Sequence, residues 1–154
     1  MKLELRRGSE QDVGACLPVF LDSAIYERYF RGDDRLERSL RGAAGRGELY
    51  LAVTEQGEVA GAMQVVPRGF CGLYPYLSLL GVKASFRGRQ VGSWLMEQLE
   101  EMARASGASR VALMVSDFNT GAQKFYAGRG YWTLGSLPDA AKPGITELVL
   151  IKEV

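Results

Sequence analysis

Histidine is absent from this chain, and that gap excludes a Ser-His-Asp triad, a Cys-His nucleophile pair and His-ligated zinc. Any acid–base work falls to carboxylates, tyrosines, lysines, cysteines, the backbone or water. Cysteine is scarce: Cys16 and Cys71 form no Cys-x-x-Cys pair and no metal-ligand cluster. They read as two reduced, buried thiols, and no metal is expected. An excess of charge of one sign is also missing. The balance of 19 basic and 18 acidic side chains, net +1, argues against a general nucleic-acid binder. No apolar run approaches the roughly 18 residues of a membrane span. Met1 to Arg7 lacks the apolar core of a signal peptide, so the expected location is cytoplasmic.

What is present suits one α/β domain over residues 1–154. Hydrophobic residues make up 47% and charged residues 24%, as in ordinary globular chains. Lys2 to Arg7 alternates like a strand. Ser9 is an N-cap with Asp12 in the first turn, opening a helix through Val13, Leu17, Phe20, Leu21 and Ala24. A second helix runs through Leu36 and Leu40 to about Gly42, followed by a loop, Ala43 to Gly47. Glu48 to Glu55 and Glu58 to Val66 predict a hairpin turning at Gln56-Gly57. Pro67 to Gly72 reads as a connection, and Tyr74 to Val82 as a strand buried on both faces. A helix with Val91, Leu95, Leu99 and Met102 on one face stops at Gly107. Arg110 to Ser116 is a strand, Asn119 to Gly128 a short helix, and Gly130 to Ser136 and Ile145 to Lys152 the last two strands. The order is β-α-α-β-β-β-α-β-α-β-β. Tyr26 to Arg46 holds six arginines against Glu27, Asp33, Asp34 and Glu37, which predicts an ion-paired helical surface.

The most informative segment joins the third central strand to its helix: Arg87-Gly88-Arg89-Gln90-Val91-Gly92-Ser93. A basic, Gly-containing turn that opens directly into a helix bares backbone amides, and so is built to hold an anion, here most simply a phosphate group. A P-loop would need Gly-x4-Gly-Lys-[Ser/Thr], which is missing. A Rossmann unit would place its glycine-rich turn at the start of a repeating βαβ series, whereas here two helices and a hairpin come first.

The element order together with two motifs resembles the GNAT superfamily of acetyl-coenzyme A-dependent N-acetyltransferases. The family's pyrophosphate motif, Arg or Gln, two residues, Gly, one residue, Gly or Ala, is matched at Arg87 and Gly92. Gln90 stands where the family usually has Gly, which is tolerable if the residue keeps a helical φ. The segment Asn119-Thr-Gly-Ala122-Gln-Lys-Phe125-Tyr126 is similar to the family's Asn-x-x-Ala-x-x-Phe-Tyr, and Gly130 and Trp132 follow it. Roughly 30 residues between the two motifs leave room for one helix and one strand. The resemblance implies a central mixed, mostly antiparallel sheet, splayed at the acetyl-CoA site, with helices on both faces.

It also implies roles. The amides of Arg87, Gly88, Arg89, Gln90, Val91, Gly92 and Ser93 would cradle the pyrophosphate. The backbone near Leu80 and Val82 would pair with the pantetheine arm, with the Leu80 amide aimed at the thioester carbonyl. Asn119 would contact that arm while also capping its helix, and Tyr126 would protonate the departing thiolate. The implied reaction is transfer of acetyl from acetyl-CoA to a primary amine by direct attack in a ternary complex, acetyl-CoA being a co-substrate and no metal being needed. The general base stays open between Asp117, Glu27 and ordered water. The amine could belong to a small molecule or a protein, and a homodimer through the C-terminal strands is compatible with this reading. The alternative is a non-catalytic acyl-CoA-binding sensor of the same fold. Neither reading invokes nucleic acid or membrane.

Overall fold

The computed structural model describes every residue of the chain except Asp22 and Ala24. Its elements are β1 (Leu3–Arg7), α1 (Val13–Phe20), α2 (Arg35–Gly45), β2 (Leu49–Thr54), β3 (Val59–Phe70), β4 (Tyr74–Val82), α3 (Val91–Ala105), β5 (Arg110–Ser116), α4 (Thr120–Gly128), β6 (Trp132–Pro138) and β7 (Thr146–Glu153). A single π-helical turn, Tyr26–Phe30, precedes α2. Seven strands are hydrogen-bonded in the order β1-β2-β3-β4-β5-β7-β6. The ladders β1–β2, β2–β3, β5–β7 and β6–β7 are antiparallel, and β4–β5 is parallel. The expected element order and the mixed, mostly antiparallel sheet are therefore present. No helix among the described residues is long and apolar enough to cross a membrane.

The chain forms two compact units: Met1–Val66 with Leu79–Leu99, and Pro67–Ser78 with Glu100–Val154. The first is organised by the apolar stripes of α1 and α2. Val13, Cys16, Val19 and Phe20 of α1 and Leu36, Leu40 and Ala43 of α2 are buried against Leu49, Leu51 and Ala62 of β2 and β3. Successive strand residues point to opposite faces, so Gly61 looks the other way, onto Val91 and Leu95 of α3. Helices thus cover both faces of this part of the sheet. The outer side of α2 carries the expected ion pairs, Arg38–Asp34 at 3.1 Å and Arg41–Glu37 at 2.9 Å, with Arg31–Glu27 and Arg35–Asp33 before them. Such exposed pairs contribute only about 0–1 kcal/mol each. The entry to α1 is firmer: the Asp12 carboxylate accepts the Ser9 N–H at 2.8 Å and the Ser9 hydroxyl at 3.1 Å. The Ser9 backbone bond and nearby Arg6 hold its pKa below the ordinary aspartate value.

In the second unit, β7 lies between β5 and β6, pairing Val111 with Lys152 and Ser116 with Glu147. The buried carboxylate of Glu100, on the C-terminal part of α3, accepts the Tyr131 hydroxyl at 3.0 Å and the Lys152 ammonium at 2.9 Å.

Several expectations need correction. Helix α2 runs on to Gly45, because Ala43 still faces the core, so Ala43 to Gly47 is not all loop. Strand β3 continues through Pro67, whose side chain is exposed, to Phe70, and the connection shrinks to a turn at Cys71-Gly72. There both central residues have positive φ, +54° and +70°, and the Leu73 N–H reaches the Phe70 carbonyl at 2.9 Å, a type I′ hairpin. Cys71 is consequently exposed rather than buried, while Cys16 is buried, and burial pushes its thiol up to about 12. Strand β4 is not buried on both faces: only Pro75 and Leu77 are, and Ser78 is exposed. Helix α1 ends at Phe20, with Leu21 extended and 40% exposed, and Ala24 lies outside the described residues.

Two predictions follow from this packing. A Cβ on Gly81 would meet the Phe20 ring at 2.7 Å and Val19 at 3.0 Å, so Gly81→Ala should cost about 1–3 kcal/mol in urea unfolding. An unchanged midpoint would mean that Phe20 does not seat against the strand. Because the folded Asp12 pKa is depressed, its contribution is complete above the unfolded value and is lost as pH falls through the folded one. Asp12→Asn should therefore cost about 1 kcal/mol at pH 7, and the difference should vanish in acid.

Candidate active site

The approach to α3 is held by short-range contacts. The Lys83 N–H donates to the Ala60 carbonyl at 2.9 Å, and the Lys83 ammonium pairs with Glu58 at 2.9 Å. A 3-10 turn, Ala84–Phe86, buries the Phe86 ring. The backbone then alternates in hand: Arg87 is extended, Gly88 has φ +75° and Gln90 has φ +67°. Gln90 therefore does not keep the helical φ expected of it: its backbone is left-handed, a conformation that costs an ordinary residue roughly 1–2 kcal/mol. That is the physical reason glycine suits the position.

The first α-helical bond runs from the Trp94 N–H to the Gln90 carbonyl at 3.0 Å. Helices leave their first N–H groups without intrahelical partners. Among the described residues, none of the N–H groups from Gly88 to Ser93 has a hydrogen-bond partner. Residues 87–90 are exposed, while Val91 is buried and anchors the helix beneath them. Arg89 stacks its guanidinium over the Phe86 ring, 5.0 Å from the centroid. Arg87 reaches the carbonyls of Val82 and Leu21, both at 3.3 Å. The turn therefore combines bared amides, a helix N-terminus and two cations, which fits the diphosphate of a coenzyme.

In strand β4, the parallel ladder to β5 covers Tyr76↔Ala112 and Leu77↔Leu113. The strand itself continues to Val82, and Leu80 and Val82 are partly buried in that continuation.

In the second unit, Asn119 caps α4 as expected, its Oδ1 accepting the Ala122 N–H at 3.2 Å. Tyr126, not Phe125, is the buried ring of the pair. It packs edge-on against Phe125 at 5.1 Å and Tyr131 at 5.8 Å. Among the described residues its hydroxyl has no hydrogen-bond partner. Burial pushes its phenol well above the ordinary tyrosine value, so the group stays protonated and able to donate. The two carboxylates considered as bases are both engaged. Asp117 Oδ2 accepts the Thr146 N–H at 3.2 Å, tying the end of β5 to β7. Glu27 is half-exposed and pairs with Arg31 at 2.6 Å. Sequence reasoning missed the buried carboxylates of the second unit, Glu100 and Glu147. The available signal was their position: Glu100 adjoins Leu99 on an apolar helix, and Glu147 is in period-2 register with Val149 and Ile151.

Residues 17–131 match the family model described as Acetyltransferase (GNAT) family. The uncharacterized protein YdhI of Bacillus subtilis (strain 168) is 27% identical over 105 residues, spanning 64% of this chain and 62% of that protein's length. Thialysine N-epsilon-acetyltransferase of Bos taurus is 30% identical over 141 residues, 82% of each chain. Among solved structures, PaiA N-acetyltransferase from Thermoplasma acidophilum in complex with coenzyme A superposes with a TM-score of 0.75 over the whole of both chains, at 16% identity. With the family model covering three quarters of the sequence and the fold shared, this chain belongs to the GNAT family of acetyltransferases.

Proposed function

We propose that residues 1–154 act as one N-acetyltransferase domain, moving acetyl from acetyl-CoA to a primary amine by direct attack in a ternary complex. The observation that carries this reading is the run of unpaired amides from Gly88 to Ser93 at the N-terminus of α3. The coenzyme A complex of PaiA N-acetyltransferase supports a coenzyme on this fold. The Gly88–Ser93 amides, with Arg87 and Arg89, hold the diphosphate. The backbone of Leu80 and Val82 pairs with the pantetheine arm as an added strand would. The Leu80 N–H stabilises the carbonyl oxygen as negative charge develops there, an effect worth about 3–4 kcal/mol in comparable sites. Asn119 contacts the arm through the side-chain amide that capping leaves over.

Tyr126 donates its phenolic proton to sulfur as the C–S bond breaks. Burial keeps the phenol neutral, so its proton is in place for the departing thiolate, while the same burial weakens it as an acid. Most of the acceleration comes from holding amine and thioester in register, up to about 7–11 kcal/mol in well-aligned cases. The acceptor is an amine whose carrier the variable helical region, residues 25–47, and the loop of residues 137–144 select.

Two substitutions test this reading. Gly92→Glu places a carboxylate among the phosphate-binding amides, and like-charge juxtaposition costs several kcal/mol. Calorimetry should show acetyl-CoA affinity falling by about a hundredfold or more, with the melting temperature close to the parent's. Undiminished binding would remove the phosphate assignment. Tyr126→Phe should leave coenzyme affinity intact and lower kcat by about 10²–10⁴. Equal turnover by parent and variant would strip Tyr126 of its role. Coenzyme binding with no thiol release on any of a library of amines would instead mark a sensor.

A further inference from the structure

The proposed reaction still needs a group to take the proton of the attacking amine, and the second unit contains a carboxylate placed for it. Residues paired across a strand ladder share a face of the sheet. The register therefore puts Tyr76 of β4, Ala112, Met114 and Ser116 of β5, and Glu147 of β7 on one face. Leu137 of β6 pairs directly with Glu147, so it joins them. The other face of β5 carries Val111, Leu113 and Val115, with Lys152 opposite Val111. Lys152 reaches Glu100, Glu100 accepts the Tyr131 hydroxyl, and Tyr131 packs on Tyr126. Glu147 and Tyr126 thus belong to opposite faces of the same part of the sheet.

Glu147 is 8% exposed and Ser116 opposite it 5%, an inward polar pair in a region where strands normally bury apolar side chains. Its neighbours open the face to solvent: Met114 is 38% exposed and Leu137 46%. A small alkyl group has apolar surface to rest on there, with a carboxylate beside it. Burial and the Glu147 charge together raise the Tyr76 phenol, so the carboxylate lies within electrostatic reach of that ring.

We propose that Glu147 is the general base of the transfer, receiving the amine on one face of the sheet while Tyr126 serves the departing sulfur from the other. The proposal rests on the transferase reading. One proton passes from the substrate ammonium to a Glu147 carboxylate oxygen. The freed nitrogen lone pair forms the C–N bond as the C–S bond breaks. Sulfur takes the Tyr126 proton, and the second proton of nitrogen returns through solvent to the phenolate. The net change is ammonium plus thioester to amide, thiol and one released proton.

The test pairs two nucleophiles. Alkyl amines are ammonium ions at neutral pH and must lose a proton first, whereas hydroxylamine is uncharged there and need not. Glu147→Gln should lower kcat with the best alkyl amine by about 10²–10⁴. Its hydroxylamine rate should stay within a few-fold of the parent's, with coenzyme affinity and melting temperature preserved. Glu147→Asp, which keeps the carboxylate but shortens its reach, should recover part of the alkyl-amine rate. Equal losses with both nucleophiles would give Glu147 a structural role only, and no loss with either would remove it from the reaction. A parent protein that binds acetyl-CoA yet acetylates no amine would overturn the transferase reading and this inference together. Should Glu147→Gln fail to fold, the same comparison made with Glu147→Asp decides: an alkyl-amine rate equal to the parent's overturns the assignment.

Discussion

The constraint on which the functional reading depends is an unmet one: a helix cannot satisfy its own first N–H groups. Most helices meet that demand with a side-chain cap or water. At α3 the chain presents a succession of amides from Gly88 to Ser93 with no protein acceptor among the described residues. Keeping them bare takes construction. Two left-handed residues, Gly88 and Gln90, turn the backbone outward. Buried Phe86 and Val91 pin the turn on either side. The bond from Lys83 to Ala60 and the close seating of Gly61 on Val91 and Leu95 fix the helix against the sheet. The strain at Gln90 persists because these surroundings over-determine it, which is how strained residues come to mark functional sites.

The same logic separates the two tyrosines of the second unit. Tyr131 spends its hydroxyl on Glu100 in a buried network with Lys152. Tyr126, packed edge-on against it, has a hydroxyl with no such partner. A hydroxyl with no internal acceptor is left to donate outward. Likewise, Asp117 and Glu27 are conspicuous in sequence but hold backbone or ion-pair contacts.

Much of this was legible in the sequence because it follows from periodicity and turn chemistry. Strand β4 and strand β5 have the ends that their apolar runs suggest, and Asn119 caps α4 because its short side chain competes for backbone donors. What was not legible depended on tertiary surroundings. Gly45 ends α2 later than expected because the neighbouring sheet gives Ala43 something to bury against. Pro67 stays in β3 because the β2 ladder stops at Gln64, so its missing N–H breaks no pairing with that strand. Cys71 is exposed because the hairpin turn needs two left-handed residues. Glu147 was not singled out, since only its burial opposite Ser116 sets it apart from the chain's other acidic residues.

The proposed chemistry begins with the amides of residues 88–93 gripping a diphosphate. The most direct measurement is an amide nitrogen–proton correlation spectrum of the labelled protein, titrated separately with acetyl-CoA and with S-acetyl-pantetheine, which has no diphosphate. Diphosphate binding there should give saturating downfield shifts of the Gly88 to Ser93 amide protons with acetyl-CoA and none of comparable size with the truncated thioester. Saturation by acetyl-CoA that leaves those six resonances in place would contradict it.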